Sequence, residues 1–285
     1  MAQLPPVMAG PSVNPPTMAR APVDPRKVAE FFDRIPKRTR RIARSLKAIY
    51  RLFVKIGYIE HRDIKYPPHD LDVLDGNQCL RMGMSLAAVE FLEALPWAIA
   101  GSGDMIPNSQ IVDFGSTTSL LAVEHVHNAT GQHPADRKNG FIALTNFGEN
   151  GRGYALVLDV AKGTIRQWDG TGDVQAVAAR NAVTVLREIQ QRYHKLEEVP
   201  YGLEIVQPTM HLRTNPDGSQ YYQKDTKYVL VAGAAEECGW PSPFRLRKFQ
   251  IMARVWLQAF GLEDDDLEQD GLEDAGFEED DVEEN

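Results

Sequence analysis

The sequence predicts an α/β (α+β) fold in which a central, mostly antiparallel sheet is flanked by helices, and three observations lead there. From Phe141 to Asp169, strand and turn signals interlock without a gap, as three consecutive antiparallel strands require. Apolar residues at 4-3-4-3 spacing from Ile42 to Ile56 form the stripe of an amphipathic helix, and a second stripe runs from Ala178 to Leu196. Tyr154 to Leu158 is unbroken apolar, the pattern of a strand covered on both faces, so the helices are expected to lie against the sheet.

Taken in order, residues 1–25 hold seven of the 18 prolines and no aromatic residue, too little apolar area to offset an ordering entropy of about 1–2 kcal/mol per residue. Residues 1–38 therefore read as a disordered arm, Pro-rich and then basic. From Thr39 a helix runs to Gly57. Its apolar face is Ile42, Leu46, Ile49, Phe53 and Ile56, and at about 100° per residue Arg40, Arg44, Lys47, Arg51 and Lys55 fall close to the opposite side. Residues 58–84, with Tyr66-Pro67-Pro68-His69, read as a loop-rich connection with one short strand near its start. Ser85 is placed to cap a helix through Leu86, Val89, Leu92 and Leu95 that Pro96 ends. Gly101-Ser-Gly103 marks a turn, Ile111 to Phe114 a strand, and Ser119 to His127 a short helix before a polar loop.

In the meander, Phe141 to Phe147 is the first strand, with Asn150-Gly151 and Gly153 supplying the positive-φ positions of its reversal. Tyr154 to Leu158 is the second, and Lys162-Gly163 turns it into Thr164 to Trp168. Leu144, Leu156, Val157, Leu158 and Ile165 are the expected core, at roughly 1.5–3 kcal/mol each on burial. Asp173 reads as the opening of the second long helix, 200–224 as irregular around an Asn215-Pro-Asp-Gly218 turn, Lys227 to Glu237 as strand or helix, with a helix ended by Gly239 favoured, and Phe244 to Phe260 as the last helix.

The stretch GENGRGYALVLDVAKGTIRQWD, from Gly148 to Asp169, resembles the hairpin of the SUKH superfamily, the Smi/Knr-type domains of bacterial toxin-immunity proteins and fungal cell-wall regulators. Asp159, Gly163, Trp168 and Asp169 fit the places where that hairpin has an Asp-ended aliphatic strand, a Gly turn and a closing Trp-Asp. A looser match runs from about Leu86 to Tyr193, although Leu95-Pro96-Trp97 follows a helix where the family opens one with its Leu-Pro pair. The resemblance implies a non-enzymatic module that binds other proteins, coordinating wall assembly and signalling in fungi or neutralising toxins in bacteria. It makes residues 39–262 a SUKH-like domain.

Charge is unevenly spread. Fourteen of the 40 acidic residues lie in 263–285 with no Lys or Arg among them, which leaves 26 acids against 31 basic residues and a net of about +5 before the tail. Such asymmetry marks 263–285 as a disordered acidic interaction tail. The stripe from Arg40 to Lys55 is its nearest complement, so an intramolecular contact in which the tail competes with an acidic protein partner is expected, with nucleic acid a less favoured ligand of the same stripe. Trp168 and Asp169 are the other partner-binding candidates, although Trp168 reads first as an aromatic cap on the core and second as the rim of a binding face.

For chemistry, Glu124, His125, His127, His133 and Asp136 resemble a metal-binding group, and a metal-dependent hydrolase centred on His125 and His127 is the enzymatic alternative to a surface histidine loop. Gly148 to Gly153 looks like a phosphate loop, but a strand follows it where a helix is needed. No Gly-x-Ser-x-Gly elbow is present, and Cys79 and Cys238 have no paired ligand spacing. The expectation is a chain with no catalytic residue, cofactor or metal. No apolar run approaches the roughly 20 residues of a membrane span, and the expected location is the cytoplasm, with the nucleus open to a basic stripe.

Overall fold

Strand β7 (Ala155–Asp159) is buried at all five positions, and the rest of the α+β architecture is laid around it. The computed structural model describes residues 35–69, 76–81, 84–99, 101–116, 140–148, 151–216 and 219–262. Among these are six α-helices and thirteen short strands, and every strand pairing is antiparallel. In chain order they are α1 (Lys37–Ile56), β1 (Ile64–Lys65), α2 (Gly76–Arg81), α3 (Leu86–Glu93), β2 (Trp97–Ala98), β3 (Asp104–Ile106), β4 (Ser109–Ile111), β5 (Phe141–Ala143), β6 (Thr145–Phe147), β7, β8 (Thr164–Trp168), β9 (Arg180–Asn181), α4 (Ala182–His194), β10 (Val199–Tyr201), β11 (Glu204–Val206), β12 (Met210–Thr214), β13 (Gln220–Lys224), α5 (Thr226–Glu237) and α6 (Leu246–Ala259).

The meander forms as the sequence implies, in the order β5-β7-β8-β9, with Ile142 opposite Leu158 and Leu158 opposite Ile165. Its first strand, however, serves two sheets. At Leu144 the chain bends, and β6 leaves to complete a second sheet, β3-β4-β6. The Thr145 hydroxyl bridges the bend: it accepts from the Leu156 amide at 2.9 Å and donates to the Tyr154 carbonyl at 3.1 Å, so polar backbone that loses its ladder partner still has one. Leu144, Leu156, Val157, Leu158 and Ile165 are all buried.

The four residues that carry the family resemblance each hold a turn. Asp159 accepts from the Lys162 amide through Oδ1 at 3.0 Å, and Gly163, at φ +65°, completes that reversal. Trp168 donates from Nε1 to the Thr171 carbonyl, and Asp169 accepts from both the amide and the hydroxyl of Thr171. Those hydrogen bonds hold the Asp169 carboxyl below its usual pKa. The Gly148 amide donates to the Arg152 and Asn108 carbonyls, and β7 follows as a strand.

α1 buries its expected face, Ile42, Leu46, Ile49, Phe53 and Ile56, and ends at Gly57 in the left-handed region. Phe53 meets Tyr193 of α4 at 5.2 Å between ring centroids, and the Trp240 indole donates to the Tyr193 carbonyl, tying α4 to the layer of α5 and α6. Residues from Val199 to Leu257 share one hydrophobic core with α1 and the sheet.

Several elements differ from the sequence reading. The second long helix starts at Ala182, capped by Asn181; Asp173 caps only a single 3-10 turn, because Arg180 is drawn into the sheet opposite Ile165. The strand expected at Ile111–Phe114 is the tighter hairpin β3–β4, which turns at Pro107-Asn108 and ends at Ile111. Residues 200–224 are two hairpins; β12 is exposed at every position, so no alternation marks it in the sequence. The connection after Gly57 contains α2 as well as β1, and Leu86 is 63 % exposed instead of contributing to its helix's apolar face. Ser85 caps α3 and Asp225 caps α5. The helix expected at Ser119–His127 lies outside the described residues, as do Asn150, Asp217, Gly218 and the expected disordered segments apart from 35–38. Among the described residues no helix is long and apolar enough to cross a membrane.

Candidate functional site

α1 carries eight cationic residues and no acidic one over Lys37–Ile56, and its polar side forms one wall of a groove. The opposite wall comes from two stretches distant in sequence. Pairing of Ile64 with Ala98 and Lys65 with Trp97 sets the chain after β1, Tyr66-Pro67, beside the chain after α3, Ala94 to Pro96. Arg40, Arg44 and Lys47 face Tyr66, Pro67 and Pro96 across a concavity of about 390 Å³. A second concavity, of about 280 Å³, continues it along the helix, lined by Lys47, Arg51, Val54, His61 and Tyr66.

Lys47 and Tyr66 belong to both, and join them. The Lys47 ammonium lies 5.0 Å from the centre of the Tyr66 ring, a cation–π contact that holds the lysine over the floor. The His61 ring lies 5.7 Å from the Tyr66 ring, centroid to centroid. Burial raises the Tyr66 phenol's pKa more than the Arg51 guanidinium lowers it, so the hydroxyl stays a hydrogen-bond donor at neutral pH. Among the described residues Arg44, Lys47, Arg51 and Lys55 form no ion pair. Like charges at three- and four-residue spacing repel by a few tenths of a kcal/mol per pair, a strain that an anion in the groove relieves.

The structure thus brings together Arg40, Arg44, Lys47 and Arg51 of the expected cationic stripe, with Lys55 exposed beyond the groove's end. Trp168 and Asp169 line neither concavity. Trp168 is 3 % exposed and packs edge-on against Phe147 at 5.7 Å, a core position, while Asp169 is exposed at the turn. The chain matches no family model, no curated protein and no solved structure.

Sequence reasoning found the cations and missed the wall facing them. Tyr66-Pro67-Pro68-His69 is conspicuous in the sequence, but only the β1–β2 pairing reveals that it faces α1. His69 fixes the segment from behind, its ring 3.5 Å from that of Trp97 and its Nε2 at 2.7 Å from the Leu95 carbonyl.

The Glu124, His125, His127, His133 and Asp136 group lies outside the described residues. Among the described residues no three His, Cys, Asp or Glu side chains are grouped to hold a metal ion. Cys79 and Cys238 are fully buried and free of disulfides.

Proposed function

We propose that the α1 groove binds an acidic segment of another protein, and that the chain is a non-enzymatic interaction module of SUKH-like type, a regulator or scaffold of the Smi/Knr kind or an immunity protein that captures a toxin. One observation carries the binding reading: two adjoining concavities share Lys47 and Tyr66, and among the described residues their linings supply four cations and no carboxylate. A guanidinium presents a planar fork that matches a carboxylate, and the Tyr66 ring and Pro67 give an apolar floor against which the methylene groups of Glu or Asp can lie. What supports the SUKH-type reading is that Asp159, Gly163, Trp168 and Asp169 each hold a turn.

The test is binding of a fluorescent poly-Glu peptide and of a single-stranded oligonucleotide of equal charge to the full chain and to its Arg44→Glu/Arg51→Glu variant. Both side chains are exposed, so the variant keeps its fold, checked by its thermal transition. Saturable peptide binding, lost in the variant, supports the reading. Preference for the oligonucleotide with a steep salt slope moves the groove to nucleic acid, and binding of neither removes it.

A further inference from the structure

Among the described residues, the outer face of α6 is an open apolar surface at the end of the chain that leads into residues 263–285. Ile251 and Val255 are each 54 % exposed on a helix whose other side, Phe249, Ala253 and Leu257, is already in the core. With Met252 and Trp256 they floor an open groove of about 640 Å³, rimmed at one end by Arg247 and Lys248. An exposed apolar strip with a cationic rim calls for a ligand that is apolar and acidic at once.

We propose that this groove is the berth of the chain's own tail, residues 263–285. That segment places an apolar residue at every fifth position, Leu267, Leu272, Phe277 and Val282, among fourteen acidic ones. α6 has Arg247, Lys248 and Arg254 and no acidic residue, so the charges complement. Gly261 at φ +63° and the Leu262 amide donating to the Leu257 carbonyl form a Schellman motif that ends α6 and turns the chain out of the helix axis. From Leu262 to Arg247 the helix rises about 22 Å, and an extended chain covers that in about seven residues, so Leu267 and Leu272 both fall within reach of the groove. Tethering holds the tail at roughly millimolar local concentration.

This berth differs from the α1 groove, which has the cations but exposes less aliphatic surface. It assigns the tail to α6 and leaves α1 open to an external partner. The inference does not rest on the proposed function.

The experiment attaches a nitroxide at Gln269→Cys in the full chain, where both native cysteines are buried, and reads methyl line broadening by NMR. Broadening at Ile251 and Val255 is expected, persisting in 0.5 M salt and falling at least fivefold in Leu267→Ser/Leu272→Ser/Phe277→Ser. In parallel, that triple variant is expected to bind several-fold more of the apolar dye ANS, and Val255→Glu is expected to abolish the broadening at Ile251. Broadening confined to Ala43 and Val54 of the α1 groove, or none at any methyl, overturns the proposal. Broadening that depends on protein concentration assigns the groove to a second copy and overturns it too.

Discussion

The carboxylate of Asp159 and the guanidinium of Arg166 lie 3.7 Å apart across β7 and β8, each side chain 8 % exposed. Arg166 stands opposite Val157 and Asp159 opposite Thr164, so the two are diagonal neighbours on one face of the meander. Nε and Nη1 of Arg166 are buried without a hydrogen-bond partner, and its charge is met by Asp159 and by the Phe141 ring at 5.6 Å.

Removing only the anion should therefore be costly. Asp159→Asn keeps an acceptor for the Lys162 amide but leaves a buried cation unmatched, and a loss of about 3–5 kcal/mol is expected in urea unfolding at pH 7. Asp159→Asn/Arg166→Met should recover most of it. A single variant within 1 kcal/mol of the parent shows that water, and not Asp159, compensates Arg166.

Two turn glycines should respond unequally. At Gly163 an added methyl meets the flexible Arg38 side chain at 2.4 Å, so Gly163→Ala should cost about 1–2 kcal/mol, mainly for its left-handed backbone. At Gly153, φ +91°, the methyl falls 1.9 Å from the backbone carbonyl oxygen of Asn108, which cannot swing away. Gly153→Ala should then lower the midpoint of thermal unfolding by more than Gly163→Ala does, and equal shifts contradict the packing of Gly153 on the β3–β4 turn.

Glu198 gives a pH dependence. Its burial raises the carboxyl pKa despite the Arg192 guanidinium at 2.8 Å, and one oxygen, Oε2, is buried without a partner. The folded chain therefore holds a proton that the unfolded chain releases. This contribution is fully present below the ordinary Glu value of 4.5 and is lost as pH rises through the raised folded value. Glu198→Gln should remove that fall and be the more stable protein at pH 7, as read from urea midpoints between pH 4 and pH 7. A parallel pair of curves excludes Glu198 as the source.

In the groove, position should set the kinetics. Arg51 is exposed at the rim, so Arg51→Ala is expected to slow association of an acidic peptide and flatten its salt dependence, leaving dissociation within about twofold. Lys47 is half-buried over Tyr66, and Lys47→Ala should instead speed dissociation, by about fivefold or more. Stopped-flow fluorescence separates the two.

The sequence makes legible what is periodic and local. α1 follows from a clean 3.6-residue stripe closed by Gly57, and β7 and β8 from an aliphatic run and a strand joined by a Gly turn. What escapes it depends on distant pairing. Asp173 has the chemistry of a helix cap, but Arg180 joins β8, and the helix waits for Asn181. β12 offers no alternation because solvent meets both its faces. The groove is half legible for the same reason: its cations lie on one helix, whereas Tyr66 and Pro96 become neighbours only through β1 and β2.

One peptide segment, Phe141–Phe147, is shared between the two larger sheets, and Thr145 welds the junction. Releasing the whole segment removes a strand from both sheets, which couples their unfolding. The four tryptophans sit in different layers, Trp97 beside the groove, Trp168 in the meander, Trp240 and Trp256 among the last helices. Melting should therefore be cooperative, every indole reporting the same midpoint, and a destabilising change anywhere along the core lowers the population of both the α1 groove and the α6 groove together.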